Sequence, residues 1–286
     1  MLGSFIAIEG FGIVFLTTVR SSLIFNFSYL FLDFSYSINI FCKCLSVSYN
    51  KMLERLSEAF KIQRQFTENA AHELRTPLSL MQIQLDLYNS SKHPGNDADT
   101  IQTIKMVTEQ NERLSKMVKT LLDMSELQTV GRDETIIVNA LIDEVLADLE
   151  PLAQEKNIKL IGKCKDVNMV GSDILIYRLV YNLVENAIKY NHSGGQVIVE
   201  AYQKEKQVYL SVEDTGSGIP EELKERVFEP FFRVDKSRSR ELGGVGLGLA
   251  LVNEIVRVHD GSIAIRPNPS GGTIIEVQFA VNRTTA

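Results

Sequence analysis

Residues 53–85 read LERLSEAFKIQRQFTENAAHELRTPLSLMQIQL, and the spacing of their apolar side chains sets the first half of the fold. Leu53, Leu56, Phe60, Phe66, Ala70, Leu74, Leu78, Met81 and Leu85 recur at helical intervals with charges between them, which predicts a long amphipathic helix. The run 89–96, with Ser90, Ser91, Pro94 and Gly95, breaks it. A second helical pattern follows through Ile104, Val107, Leu114, Met117, Leu121 and Met124. Two such helices make a hairpin. Alone it buries little, so pairing of two copies into a four-helix bundle is the expected way to cover both apolar seams.

His72 sits two positions from both Ala70 and Leu74. At ~100° per residue that turns it about 200° away from the apolar stripe, onto the solvent side. A lone histidine on a helix is ordinarily a passenger, but this one has Glu73 beside it, Thr76 one turn on, and Pro77 to remove a backbone donor. An imidazole with an ordinary pKa of about 6.5 is mostly neutral near pH 7 and offers a lone pair, so it suits attack on phosphorus. Glu73 is placed to take or orient the other ring proton. The run is not HExxH, because position 76 is Thr, and zinc-protease chemistry is excluded.

Toward the N-terminus the composition changes. Residues 1–44 carry only Glu9, Arg20, Asp33 and Lys43 as charges, and hold eight of the 14 phenylalanines. A span needs roughly 20 apolar residues. Residues 10–32 reach that length with Arg20 as interruption, and 21–42 with Asp33. The segment reads either as membrane-associated or as a truncated N-terminus; a basic n-region and a small-residue cleavage site, the marks of a secretory signal, are missing.

Toward the C-terminus, beyond Val130 and Gly131, helical patterns at 141–154 and 174–190 alternate with strand-like runs at 158–162, 197–202, 208–212, 262–266 and 273–279. The 203–207 turn makes a hairpin of two of these, so a mixed or antiparallel sheet with helices on one face is expected. The predicted class is α+β. Asn182 and Asn186 stand at i and i+4, with Lys189 a turn further. Such a polar stripe reads equally as a structural network or as an amide-oxygen site for a hard cation beside a phosphate. Six glycines fall between Gly216 and Gly248 in two clusters, DTGSGIP at 214–220 and GGVGLG at 243–248, the latter opening an apolar helix at 249–259. Glycine permits close backbone approach, and a helix start offers free amides to an anion. The basic run between them, with Arg233, Lys236, Arg238 and Arg240, reads as a solvated surface or as a lid hinged on glycine.

The whole chain has 286 residues, 44% hydrophobic and 23% charged, with a net charge of −6. That is globular composition with no overall positive field, so nucleic acid is not expected as a partner. Three cysteines, Cys42, Cys44 and Cys164, make neither a disulfide framework nor a zinc site.

In their order and spacing these motifs resemble the transmitter of bacterial sensor histidine kinases over residues 53–283. FTENAAHELRTPL (66–78) is similar to the phosphoacceptor box, NLVENAIKYN (182–191) to the N box, DTGSGIP to the G1 box, FEPFFRVD (228–235) to the F box and GGVGLGL (243–249) to the G2 box; Gly271-Gly272-Thr273 matches a further glycine element. The resemblance implies a dimerisation and phosphotransfer domain at 53–129 and an ATP-binding domain at 133–283, preceded at 45–65 by the tail of a HAMP-like linker. It implies that His72 is phosphorylated, that Glu73 assists, and that Thr76 positions water for dephosphorylating the partner. Asn186 would ligate Mg²⁺, with Asn182 and Lys189 near the phosphates of ATP and Tyr190 beside adenine. Asp214 would accept the adenine amino group; guanine presents a carbonyl there and would leave that carboxylate unpaired. Gly216, Gly218, Phe228, Arg233, Gly244, Gly246, Leu247, Gly248 and Thr273 complete the implied nucleotide site. The implied partners are a response regulator and a second copy of the chain, with the catalytic part cytoplasmic on a membrane-held protein. A narrower likeness is to sensors of the vancomycin-resistance type. The rival readings are a conformational ATPase related to gyrase and mismatch-repair proteins, which the HELRTP histidine disfavours, and a non-catalytic scaffold, which would lack one of the boxes. No extracellular sensing domain fits within residues 1–44, so the signal enters through that segment or a partner, or the upstream part is missing.

Overall fold

The computed structural model describes residues 3–90, 97–127, 129–235 and 244–281, with side chains described at Lys43 and from Leu45 on, except at positions 90 and 97–99. Gly243, Lys236, Arg238 and Arg240, and the break at 91–96, lie outside the described residues. The chain divides into two units, Met1–Thr67 and Glu68–Ala286.

Helix α1 (Gly3–Ser90) supplies the helical part of the first unit. There Leu45, Val47, Tyr49, Met52, Leu53, Leu56, Phe60 and Ile62 are exposed in the single chain. Among the described residues no helix is long and apolar enough to cross a membrane. The segments 10–32 and 21–42 fall where side chains are not described.

In the second unit the end of α1 and α2 (Asp97–Glu126) form the expected antiparallel hairpin. Tyr88 and Thr100 share a hydroxyl hydrogen bond of 3.0 Å near the turn, and Leu74 packs beside Met117 and Leu121 further along. Not every residue of the apolar stripe is covered by this pairing. Leu78, Leu85 and Ile104 stay exposed, as do Ile83, Leu87 and Leu122 outside the stripe.

The rest of the unit is an α/β layer. A five-stranded sheet has the order β2 (Lys159–Cys164), β4 (Gln196–Lys204), β5 (Gln207–Asp214), β7 (Thr273–Ala280) and β6 (Ser262–Pro267). Only β2–β4 is parallel; β4–β5, β5–β7 and β6–β7 are antiparallel, the mixed sheet that the hairpin turn predicted. Period-two burial along β7, where Thr273, Ile275, Val277 and Phe279 are buried, turns one sheet face inward. Helices α3 (Val138–Glu155), α4 (Asp173–Lys189) and α5 (Gly248–Val258) cover that face. Leu175, Leu179 and Leu183 of α4 are buried between its neighbours and the strands, each worth ~1.5–3 kcal/mol of apolar burial.

Two elements escaped the sequence reading. β1 (Glu134–Ile137) and β3 (Asn168–Gly171) form a two-stranded antiparallel ribbon. At four residues each, neither displays enough alternation to be seen. The ribbon leads into α4, whose start is tied to the end of α5. There the buried His259 ring accepts the Ser172 N–H at Nε2 (3.1 Å) and its Nδ1 lies 2.9 Å from the Ile255 carbonyl.

Candidate active site

His72 is exposed on α1, as its angle to the apolar stripe predicted, and Thr76 one turn on is exposed with it. The Thr76 hydroxyl donates to the His72 carbonyl at 3.1 Å. Pro77 is buried within the helix and has no N–H to give the Glu73 carbonyl. Glu73 is placed differently from the expectation that it serves the imidazole. Its Oε2 accepts Arg233 Nη2 at 2.7 Å and lies 3.8 Å from Arg113 Nη2.

A cavity of about 350 Å³ opens beside this hairpin. One wall is α4, with Asn182, Asn186, Lys189 and Tyr190; Asp214 stands at the end of β5, and Thr273 at the start of β7. Gly218, Arg233, Gly244, Gly246, Leu247 and Gly248 come from the connecting segments. Thus twelve residues predicted from five separate motifs converge on one space. Gly216 and Phe228 do not line it. Gly216 instead donates its N–H to Asp214 Oδ1 at 2.7 Å, and Phe228 is half-buried in a short 3-10 turn (Arg226–Phe228) while Val227 and Phe232 face the cavity.

The glycines have steric reasons. Gly272 lies at φ +88°, and a Cβ there would meet the Asp214 carbonyl at 2.2 Å. Gly248 starts α5 where a Cβ would come within 2.9 Å of Asn182 Oδ1. The loop ahead is pinned by Phe231 N–H to the Gly246 carbonyl at 2.7 Å and by Arg233 Nη2 to the Val245 carbonyl at 3.2 Å. The first amides of α5 have no acceptor inside the helix and so offer donors at the cavity.

Charge is distributed to suit an anion at one end and a donor at the other. Burial raises the pKa of Asp214 against the backbone amides of Gly216 and Thr273, which favour its ionised form. Burial also lowers that of Lys189, against the attraction of Glu185 one turn back. Asn182 gives its Nδ2 to the Arg178 carbonyl at 2.7 Å, which leaves its oxygen for other partners. Amide oxygens of this kind fit a hard cation. Among the described residues no cluster of three His, Cys, Asp or Glu side chains could hold a metal alone.

Two family descriptions match the chain: "His Kinase A (phospho-acceptor) domain" over residues 62–130 and "Histidine kinase-, DNA gyrase B-, and HSP90-like ATPase" over 171–283. The second alone leaves a gyrase relative open, and the first, around His72, closes it. The chain belongs to the sensor histidine kinases. The chain is 35% identical over 245 residues to the sensor protein CutS of Streptomyces coelicolor, across 84% of this chain and 58% of CutS. It is 33% identical to the signal transduction histidine-protein kinase ArlS of Staphylococcus aureus, across 82% of this chain and 52% of ArlS. The chain therefore spans a little over half the length of these relatives. Histidine kinase ThkA, solved in complex with response regulator protein TrrA, superposes with a TM-score of 0.66 at 25% identity, covering 80% of this chain and 65% of that one.

The cavity also contains residues that motif reading missed. Ser217, Ile219 and Pro220 were legible, since they lie inside the quoted DTGSGIP run. Lys116 and Thr120 were not. They come from α2, more than 60 positions ahead of the N box, and only tertiary docking brings them here.

Proposed function

We propose that the chain is an ATP-dependent protein-histidine kinase in which His72 attacks the γ-phosphorus of ATP. The N–P bond forms as the bond to the β-phosphate oxygen breaks, ADP leaves, and the phosphoryl group then passes to an aspartate oxygen of a response regulator. The observation that carries this reading is one chain holding both an exposed HELRTP histidine and a glycine-lined cavity into which the N, G1, F and G2 runs converge. Chemistry of this type is mostly positioning and charge neutralisation.

In this reading Asn182 and Lys189 bind phosphates, Asn186 contributes an amide oxygen to Mg²⁺, Tyr190 packs beside adenine and Asp214 accepts its amino group. Gly218, Gly244, Gly246, Leu247, Gly248 and Thr273 shape the pocket and supply backbone donors, Gly216 holds Asp214, and Phe228 supports the segment carrying Arg233. Bound with the nucleotide, Mg²⁺ supplies neutralisation of phosphate charge. Glu73 orients the imidazole once Arg233 releases it, and Thr76 positions water for dephosphorylating the regulator.

The functional parts are then residues 53–129 for dimerisation and phosphotransfer and 133–283 for ATP binding, after a linker at 45–65. The apolar residues left exposed on the hairpin support a homodimer. The aromatic composition of residues 1–44 supports membrane association, with the catalytic part in the cytoplasm. Fractionation of cells tests this: recovery of the protein in the soluble fraction alone would count against it.

The kinase reading is tested by incubating the chain with Mg²⁺ and γ-labelled ATP. Acid-labile, alkali-stable label should appear and His72→Gln should abolish it; label persisting in that variant refutes the site.

A further inference from the structure

Lys116 belongs to the phosphotransfer hairpin, yet its side chain lines the cavity together with Asn186 and Lys189 of α4. Its Nζ lies 2.5 Å from Glu185 Oε1, and Lys189 Nζ lies 3.0 Å from the same oxygen. Two ammonium groups thus share one carboxylate oxygen, and this wall carries one positive charge in excess. Burial opposes the charge on Lys116, but Glu185 outweighs it and its pKa lies above the usual lysine value. Lys116 is therefore cationic at neutral pH.

The position of Lys116 is fixed by its surroundings. The next residue, Met117, is fully buried against Val245 and Leu247 of the glycine loop. Seven residues on, Asp123 Oδ1 lies 2.9 Å from Arg178 Nη1, itself seven residues before Glu185. Two ion pairs of opposite polarity, about 10.5 Å apart along each helix, set α2 and α4 in antiparallel register. A slip by seven residues would bring Asp123 to Glu185 and set like charges together.

We propose that Lys116 is a phosphate-facing residue of the nucleotide cavity, supplied by the hairpin, and that Glu185 holds its ammonium there until a triphosphate takes it over. The inference rests on the kinase reading above. A triphosphate brings several anionic oxygens where Glu185 offers one, so a lysine already desolvated on one side and half-exposed on the other can transfer. By linkage, a nucleotide that gains Lys116 tightens the docking of the hairpin by the same factor.

The test is calorimetric titration of the full chain with a non-hydrolysable ATP analogue plus Mg²⁺, and separately with adenosine. Lys116→Met should weaken the triphosphate about fivefold to tenfold, Lys116→Arg should restore it to within about threefold, and Glu185→Gln should leave it unchanged or tighten it. Adenosine should respond to none of them. A pair that serves only as a strut predicts instead that Lys116→Met and Glu185→Gln weaken the triphosphate alike. That result, or wild-type affinity in Lys116→Met, overturns the inference. Adenosine binding reports a folded pocket; a variant that loses it is replaced by Lys116→Gln, judged by the same criteria. An unmodified chain that binds no ATP analogue refutes the kinase reading and this inference together, whereas analogue binding indifferent to Lys116 refutes this inference alone.

Discussion

Asp214 is a residue whose burden to the fold and whose use to the ligand have opposite signs. Its carboxyl is raised by burial. A carboxylate whose folded-state pKa lies above its unfolded value favours folding below that unfolded value and loses that contribution as pH rises through the folded one. Asp214→Asn should therefore leave the melting temperature at pH 7 equal or higher, while nucleotide titration shows weakened adenine binding. A parallel fall in both would mean that the side chain is structural. Gly272 allows no such trade. At φ +88°, with the Asp214 carbonyl 2.2 Å from where a Cβ would stand, Gly272→Ala should cost roughly 1–3 kcal/mol from the backbone alone, read in a denaturant curve. Thr76→Ala, at an exposed position, should keep autophosphorylation and lose regulator dephosphorylation; equal loss of both would remove the division of labour proposed for α1.

At the scale of elements, stability is concentrated in α4. Leu179 has no exposed surface, so Leu179→Ala should lower stability by about 2–5 kcal/mol, measured by urea unfolding. The same helix shows why much was legible in advance. Its buried residues follow the 3.6-residue period, and its asparagines fall on the face turned to the cavity. The five long strands were legible because period-two burial, as on β7, writes itself into the side chains. The ribbon of β1 and β3 was not, since its existence depends on partners more than 30 positions apart rather than on local pattern. The engagement of Glu73 was hidden for the same reason. Adjacency in sequence pointed it at His72, while Arg233, 160 positions away, holds it in the fold. Motifs disclose which residues gather at the cavity; they are silent about which residues meet each other across docked parts.

For the molecule as a whole, the hairpin is held to the nucleotide-binding layer by charge as well as by apolar contact. The Glu185 pKa is lowered, burial working against it and Lys189 and Lys116 prevailing. A depressed carboxyl contributes above its unfolded pKa and loses that contribution as pH falls through the folded value. Docking should thus hold at neutral pH and weaken in acid, below the ordinary glutamate range. Proteolysis of the segment between α2 and β1 across a pH series measures this, and Glu185→Gln should flatten the profile. In the proposed homodimer a second copy of the chain would supply the remaining cover for the hairpin. Leu85→Glu with Ile104→Glu, both at exposed apolar positions, should shift the mass measured by light scattering from dimer to monomer.

The paired rungs of α2 and α4 also bear on how such proteins diversify. Lys116 and Asp123 on one helix answer Glu185 and Arg178 on the other, each couple with its polarity reversed. A hybrid that grafts the ATP-binding portion of a different kinase onto this hairpin inherits a lock cut for another key unless positions 178 and 185 are matched. Restoring those two charges in a poorly active hybrid is therefore the smallest edit expected to recover its assembly.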